Sequence, residues 1–306
     1  MSKNAPLVVC IGEILWDVLP TGKVLGGAPA NVAWHASQLG ADSRIVSAVG
    51  RDEMGREMGV RLREMGMDCE FVFPVDGKPT GKVDACVNEA GIATYVIGKD
   101  AAWDFIPVSG NALSLVAGAD ALNFGTLVQR LDSGRRALEA YLAGAPAGCL
   151  RMFDVNLRPG GVRRDVLEAC FARCDMVKLN SEELLVVSEL FNWPGKAEKV
   201  LDSFFESYPN ISHVVVTRGP DGVWWQSETG LLKRPGRTVP VADTIGAGDS
   251  LSAAVIMGLL RKMPPEEIIE TALDISGFVC TQIGATPLLP ESMKKAFHSL
   301  NREAPI

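Results

Sequence analysis

Histidine is scarce in this chain: His35, His213 and His298 are the three among 306 residues. With so few, and none beside a cysteine pair, a zinc site is not a leading reading. Cysteine is present but unpatterned. The seven cysteines, at 10, 69, 86, 149, 170, 174 and 280, are odd in number, widely spaced and without a C-x-x-C pair. Cys170 and Cys174 stand four apart in a helical pattern, with no histidine nearby to complete a site. Reduced, mostly buried thiols in a cytoplasmic protein are expected. Positive charge is also in deficit. Thirty Lys+Arg against 37 Asp+Glu leave a formal net charge of −7. That argues against nucleic acid or an anionic membrane as partner, though not against a local basic pocket. No apolar run approaches the ~20 residues of a membrane span. The run 7–11 is too short for a secretory core and reads as a buried strand. Linkers, low-complexity stretches and internal repeats are missing, which suits one large domain.

What the chain has is alternation. Short apolar runs at 8–11, 44–49, 121–124, 152–155, 176–179 and 214–217 read as strands. Helical patterns at 30–39, 55–65, 134–142, 165–170, 182–190 and 196–207 lie between them. This order predicts an α/β fold in three layers, a mostly parallel sheet covered by helices on both faces. Two stretches break the pattern. Residues 81–87 and 92–97, turned by Asn88-Glu89-Ala90-Gly91, read as a β-hairpin set beside the main domain. Residues 222–226 and 231–234 read as an antiparallel extension of the main sheet. With 47% hydrophobic residues, the core has ample material.

Chemistry concentrates in Asp243-Thr244-Ile245-Gly246-Ala247-Gly248-Asp249-Ser250, which leads into the apolar helical stretch 251–260. Leu251, Val255 and Leu259 fall on one stripe with Ala254 beside them. Glycines let backbone approach a ligand, and a helix start offers unpaired N–H groups to phosphate. A purely anion-binding loop gains nothing from a carboxylate at Asp249. A phosphoryl-transfer site does, if that carboxylate takes the proton of an attacking hydroxyl. The plainer alternative is a helix start with an acidic first turn.

In a parallel α/β sheet, ligands bind beyond the carboxyl ends of the strands. Polar and glycine-rich segments follow the predicted strands repeatedly: Gly12-Glu13 with Asp17, then Gly26-Gly27-Ala28-Pro29-Ala30-Asn31. Asp154, Asn156 and Arg158 follow, then Asn180-Ser181-Glu182-Glu183, then Thr217-Arg218-Gly219-Pro220-Asp221-Gly222. Each has a structural alternative: a turn, a capping box at Asn180 or Ser181, an ion pair between Asp154 and Arg158. Together on one rim they are hard to attribute to turns alone.

In this order the motifs resemble those of the ribokinase-like, or phosphofructokinase B, sugar kinases, most nearly the bacterial fructokinase type. The resemblance covers nearly the whole chain. It implies a ribokinase-like α/β/α fold with a small β lid built from about 13–28 and 78–105. It implies that Asp249 is the base and that Gly246, Ala247 and Gly248 supply the anion hole. Asp17, Gly27, Asn31, Asn156 and Arg158 would bind the sugar. Asn180, Thr217, Gly219 and Gly222 would bind the nucleotide. Glu183 would organise magnesium (Mg2+) through water. Asp243, Thr244 and Gly284 are its candidates for a monovalent cation, potassium (K+). Lys99, Trp103 and Asp104 follow the hairpin. Trp103 is a candidate sugar contact, and reads equally as a core residue. ATP as donor and a homodimer paired through the lid complete what the resemblance implies.

One departure bears on substrate and a second on packing. Ala28 stands where ribokinases carry lysine, and Ser250-Leu251 follow Asp249 where a small residue and an aromatic are usual. Fructose is the expected acceptor. Ribose, 2-keto-3-deoxygluconate or a nucleoside is the alternative within the class. A non-catalytic sugar or nucleotide sensor is the alternative outside it, opposed by the intact Asp249, Gly246 and Gly248. A dinucleotide-binding oxidoreductase fits worse, because Gly12 belongs to no G-x-G-x-x-G turn.

Overall fold

The structure is a computed structural model that describes residues 5–19, 22–87, 93–158 and 163–298. The first part of the chain runs β1 (Leu7–Ile11), β2 (Leu15–Leu19), β3 (Gly22–Gly26), α1 (Ala28–Gln38), β4 (Asp42–Gly50) and α2 (Glu53–Glu64). Next come β5 (Val72–Val75), β6 (Lys82–Val87), β7 (Ala93–Ile97), α3 (Gly110–Val116), β8 (Ala121–Gly125) and α4 (Asp132–Gly144). Then follow β9 (Leu150–Asp154), α5 (Arg164–Phe171), β10 (Met176–Asn180), α6 (Ser181–Phe191) and α7 (Ala197–Ser207). The last part holds β11 (His213–Thr217), β12 (Val223–Ser227), β13 (Gly230–Arg234), α8 (Ala247–Leu260), α9 (Pro265–Cys280) and α10 (Glu291–His298).

Nine strands form one sheet in the order β13-β12-β11-β10-β9-β8-β1-β4-β5. From β5 to β11 the neighbours pair parallel, and β12 and β13 extend the edge antiparallel. The expected extension at 222–234 is therefore β12 and β13. The parallel strands read as nearly continuous apolar runs because both faces are covered. Alternation divides them. Val8 and Cys10 of β1, Met176 of β10 and Val215 of β11 pack with α1, α2, α8 and α9. Val9, Ile11, Val177, Leu179, Val214 and Val216 pack on the other face with α3 to α7. The three-layer α/β/α architecture follows from this two-residue period.

A second sheet, in the order β3-β2-β6-β7, stands apart from the main one. The expected hairpin is its β6–β7 pair, with Val83 opposite Ile97. The turn 88–91 and Ile92 lie outside the described residues. The short strands β2 and β3 carry no marked apolar alternation and escaped the pattern. So did β5, where Pro74 breaks the strand signal; it lies at the edge of the main sheet, where proline is tolerated.

Two local expectations are corrected. Helix α8 is not one-sided: Leu251 to Gly258 are all buried, because α1 packs on one flank and α9 on another. A helix apolar all round belongs to the interior, so the stripe of Leu251, Val255 and Leu259 was only part of its contact surface. Helix α5 ends at Phe171, so Cys174 does not share it with Cys170. Among the described residues no helix is long and apolar enough to cross a membrane.

Candidate active site

The loops after the parallel strands meet the start of α8 at the carboxyl edge of the sheet. Gly246 precedes that helix with φ +79°, and no side chain caps it. A Cβ on Gly246 would stand 2.6 Å from the Ala285 backbone, so the turn demands glycine both by conformation and by space. The Ala247 amide leans on the Thr244 carbonyl at 3.3 Å, and the Ser250 amide bonds the Gly246 carbonyl at 2.8 Å. The amides of Gly248 and Asp249 have no acceptor among the described residues. They are the orphan donors of a helix start, with the positive end of the helix dipole behind them.

Asp249 sits at the third helical position and keeps part of its surface open to the cleft. Asn31, buried on α1, donates its Nδ2 to Asp249 Oδ2 at 2.8 Å. The other carboxylate oxygen has no hydrogen-bond partner among the described residues. Surrounding protein pushes the Asp249 carboxyl up to about 6, the Lys178 ammonium pulls it back, and Asp154 adds repulsion. A base so poised is ionised at neutral pH yet basic enough to take a hydroxyl proton.

Lys178 is the residue that sequence reasoning missed. It lies in the middle of β10, 7% exposed, and its Nζ donates to Asp154 Oδ2 at 2.8 Å. Desolvation alone would lower the Lys178 pKa; Asp154 and Asp249 outweigh it and raise the value. This corrects the ion pair read between Asp154 and Arg158. A lone lysine inside an apolar strand was the available signal, since buried lysine is rare unless paired.

At the start of α6, Asn180 and Glu183 form a capping box, with both bonds at 2.8 Å. The second Glu183 oxygen accepts the Leu157 amide at 2.7 Å. Glu183 thus ties the segment after β9 to the start of α6. That segment includes Asn156, whose φ is +37°, and Arg158. Burial raises the Glu183 pKa, and Asp154 adds to it. Both oxygens already serve backbone amides, so a metal would meet this carboxylate through water. No group of three or more His, Cys, Asp or Glu among the described residues forms a protein cage. That donor set fits magnesium, which keeps several waters and shares phosphates.

Thr217, Gly219 and Gly222 line one cavity of about 430 Å³ that runs past Val239 and Cys280 to Ala247 and Gly248. Gly219 and Gly222 have φ of +54° and +93°, and the Arg218 amide closes the turn on the Gly222 carbonyl at 2.7 Å. The cavity joins the expected nucleotide turn to the expected anion hole. Part of its wall, from Leu273 to Cys280, comes from α9, which carries no motif. Asn180 does not line it.

On the other side, Asp17 stands on β2. Its carboxyl is raised by burial, with Arg158 opposing and Asp243 adding. Gly27 leads into α1 with φ +106° and accepts the Asn31 amide at 2.9 Å. Asp243 bonds the amides of Ile245 and Gly284, each at 3.0 Å, and so ties the Thr244 loop to the Gly284 turn. Trp103 is the correction. It is 0% exposed, lies under Gly81 and stacks against the Arg130 guanidinium at 4.1 Å. Arg130 in turn holds the buried Asp104 with two bonds, at 2.6 and 2.7 Å. Packing, not an open cleft, claims that indole.

The profile of the pfkB family carbohydrate kinases matches residues 8–292. Fructokinase-1 of Oryza sativa subsp. japonica is 25% identical over 96% of this chain and 98% of its own length. A fructokinase from Xylella fastidiosa, solved with bound ATP, superposes with a TM-score of 0.82 at 21% identity, covering 97% of this chain and 99% of that one. A double-mutant fructokinase from Vibrio cholerae O395, with fructose, ADP and a potassium ion, gives 0.77 at 24% identity over 97% and 99%. The chain belongs to the pfkB family of carbohydrate kinases and is an ATP-dependent sugar kinase.

Proposed function

We propose that this kinase moves the γ-phosphate of ATP to a primary hydroxyl of a monosaccharide, and that the sugar is fructose. The observation that carries the reaction is the α8 start, where one carboxylate stands in the first turn beside two amides that are unpaired among the described residues. Fructose is supported by the Gly26-Gly27-Ala28-Pro29-Ala30-Asn31 run and by the fructokinases among the relatives.

Asp17, Gly27 and Asn31 hold the sugar, with Asn156 and Arg158 beside it. Asn31 fixes Asp249 so that its free oxygen meets the reacting hydroxyl. The hydroxyl proton passes to Asp249, the sugar oxygen bonds the γ-phosphorus, and the bond from that phosphorus to the bridging oxygen of ADP breaks. The free amides of Gly248 and Asp249 receive the charge of the moving phosphoryl group, while Gly246 shapes the turn and the Ala247 amide, expected in the anion hole, is engaged by the Thr244 carbonyl. The nucleotide lies along Thr217, Gly219 and Gly222, with Asn180 near its phosphates. Glu183 would hold magnesium through water, and the ion would supply neutralisation of phosphate charge. The Asp243–Thr244 loop and the Gly284 turn would seat a monovalent cation next to the anion hole. The β3-β2-β6-β7 sheet serves as the lid, excluding water that would compete as acceptor. Two copies pair through these lids.

The test is coupled ADP release with ATP and magnesium across fructose, ribose, 2-keto-3-deoxygluconate and adenosine, with and without potassium. Turnover with fructose alone is expected. Turnover with another acceptor would keep the mechanism and replace the sugar. Light scattering that finds a monomer would remove the lid-paired dimer.

A further inference from the structure

Lys178 has more hydrogen-bond donors than its partner uses. Alternation along β10 turns it to the α8 face of the sheet, while Val177 and Leu179 pack in the opposite core. An ammonium has three donors. Asp154 Oδ2 accepts one, at 2.8 Å, and no other acceptor holds Lys178 among the described residues. The Nζ stands 3.0 Å from where a Cβ on Gly248 would lie. It therefore borders the same turn whose Gly248 and Asp249 amides are unpaired. A buried ammonium with unused donors is costly unless an anion completes it.

We propose that Lys178 is a further catalytic residue, whose ammonium binds the transferring phosphoryl group beside the Gly248 turn. The proposal rests on the kinase reading of the α8 turn. As the phosphorus leaves the ADP oxygen and joins the sugar oxygen, its equatorial oxygens keep their negative charge. A fixed cation in a site shielded from water stabilises that charge without reorganising. Asp154 acts through Lys178 as a positioning residue, holding the ammonium over Gly248. Gly248 then has two duties: its amide faces the phosphoryl group, and its missing side chain makes room for the ammonium.

The experiment compares Lys178→Met and Lys178→Arg with the wild type in sugar turnover, in ADP binding and in binding of a non-hydrolysable ATP analogue. Lys178→Met is expected to lower kcat by about 10²–10³-fold, the scale for loss of one charge-stabilising group. It should weaken the ATP analogue at least tenfold more than ADP, because ADP lacks the γ-phosphate. Lys178→Arg should recover part of both losses. Unchanged kcat, or equal weakening of ADP and analogue with a lowered Tm, would overturn the proposal and leave a structural ion pair. If Lys178→Met does not fold, the double change Asp154→Asn with Lys178→Met removes both buried charges. The same kcat loss in that protein supports the proposal, and full activity overturns it. Failure of the wild type to phosphorylate any sugar would instead strike the kinase reading, while the nucleotide titrations would still judge Lys178.

Discussion

Helices α6 and α8 both begin at the carboxyl edge of the sheet, and both carry a carboxylate at the third helical position. At α6 the carboxylate is Glu183. It turns back to accept the Asn180 and Leu157 amides, while Asn180 caps the helix in return. At α8 the carboxylate is Asp249. Gly246 has no side chain to cap with, and Asp249 is held outward by Asn31. One helix start is closed by its own side chains and the other is left open for a ligand. The same acidic first turn thus spends its carboxylate on backbone amides in one place and leaves it an open oxygen in the other. The capping residue decides which: asparagine fills the donors, glycine leaves them free.

Asp249→Asn attacks the open start most directly. Its kcat should fall by about 10²–10⁴-fold, the usual worth of general-base help, with ADP affinity retained. An unchanged kcat would end the assignment of the base. In the wild type, kcat/KM should fall as pH drops below about 6, the value to which the Asp249 carboxyl is pushed. The stability consequence has the opposite sign. A carboxyl whose pKa is raised on folding from 3.8 to about 6 favours the folded state below the lower value and loses that contribution as pH rises through the upper one. Asp249→Asn should therefore melt no lower than wild type at pH 7, with any gain disappearing towards pH 4. A Tm well below wild type at pH 7 would show that Asp249 is structural, as Glu183 is.

Gly246→Ala should damage both stability and rate. A left-handed residue with a side chain loses about 1–2 kcal/mol before any contact with Ala285 is counted. Thermal melting and turnover read the two losses separately. A normal protein would mean that the turn does not need its open geometry.

Glu183→Gln sharpens the contrast from the closed side. An amide can accept only one of the two backbone N–H groups and turns a donor toward the other. That should remove about 1–3 kcal/mol of stability, seen as a lower Tm, and raise the magnesium needed for half-maximal rate. If kcat alone changed, Glu183 would belong with Asp249. The smallest effect expected is from Asn180→Ala, a lost cap worth about 1 kcal/mol in denaturant unfolding.

Much of the main sheet was legible because its parallel strands are short apolar runs between polar turns. Pro74 hid β5, and β2 and β3 carry no marked apolar alternation. The Asp249 turn was legible because glycines, a carboxylate and an apolar helix lie adjacent in sequence. Lys178 was not, since its meaning depends on which face of β10 it occupies and on what packs there. Trp103 could be read two ways for the same reason, and the layers around Gly81 and Arg130 decided it.

By itself the sequence determined the α/β alternation, the glycine turns and the capping box of α6, all of which arise between residues a few positions apart. Tertiary structure alone decided that Asn31 meets Asp249 across 218 positions, that Asp154 pairs with Lys178 and not with Arg158, and that α9 walls the cavity. The physical reason is range. Propensity, periodicity and capping act along the chain, whereas a hydrogen bond or ion pair forms between whatever groups the packed layers bring within about 3 Å.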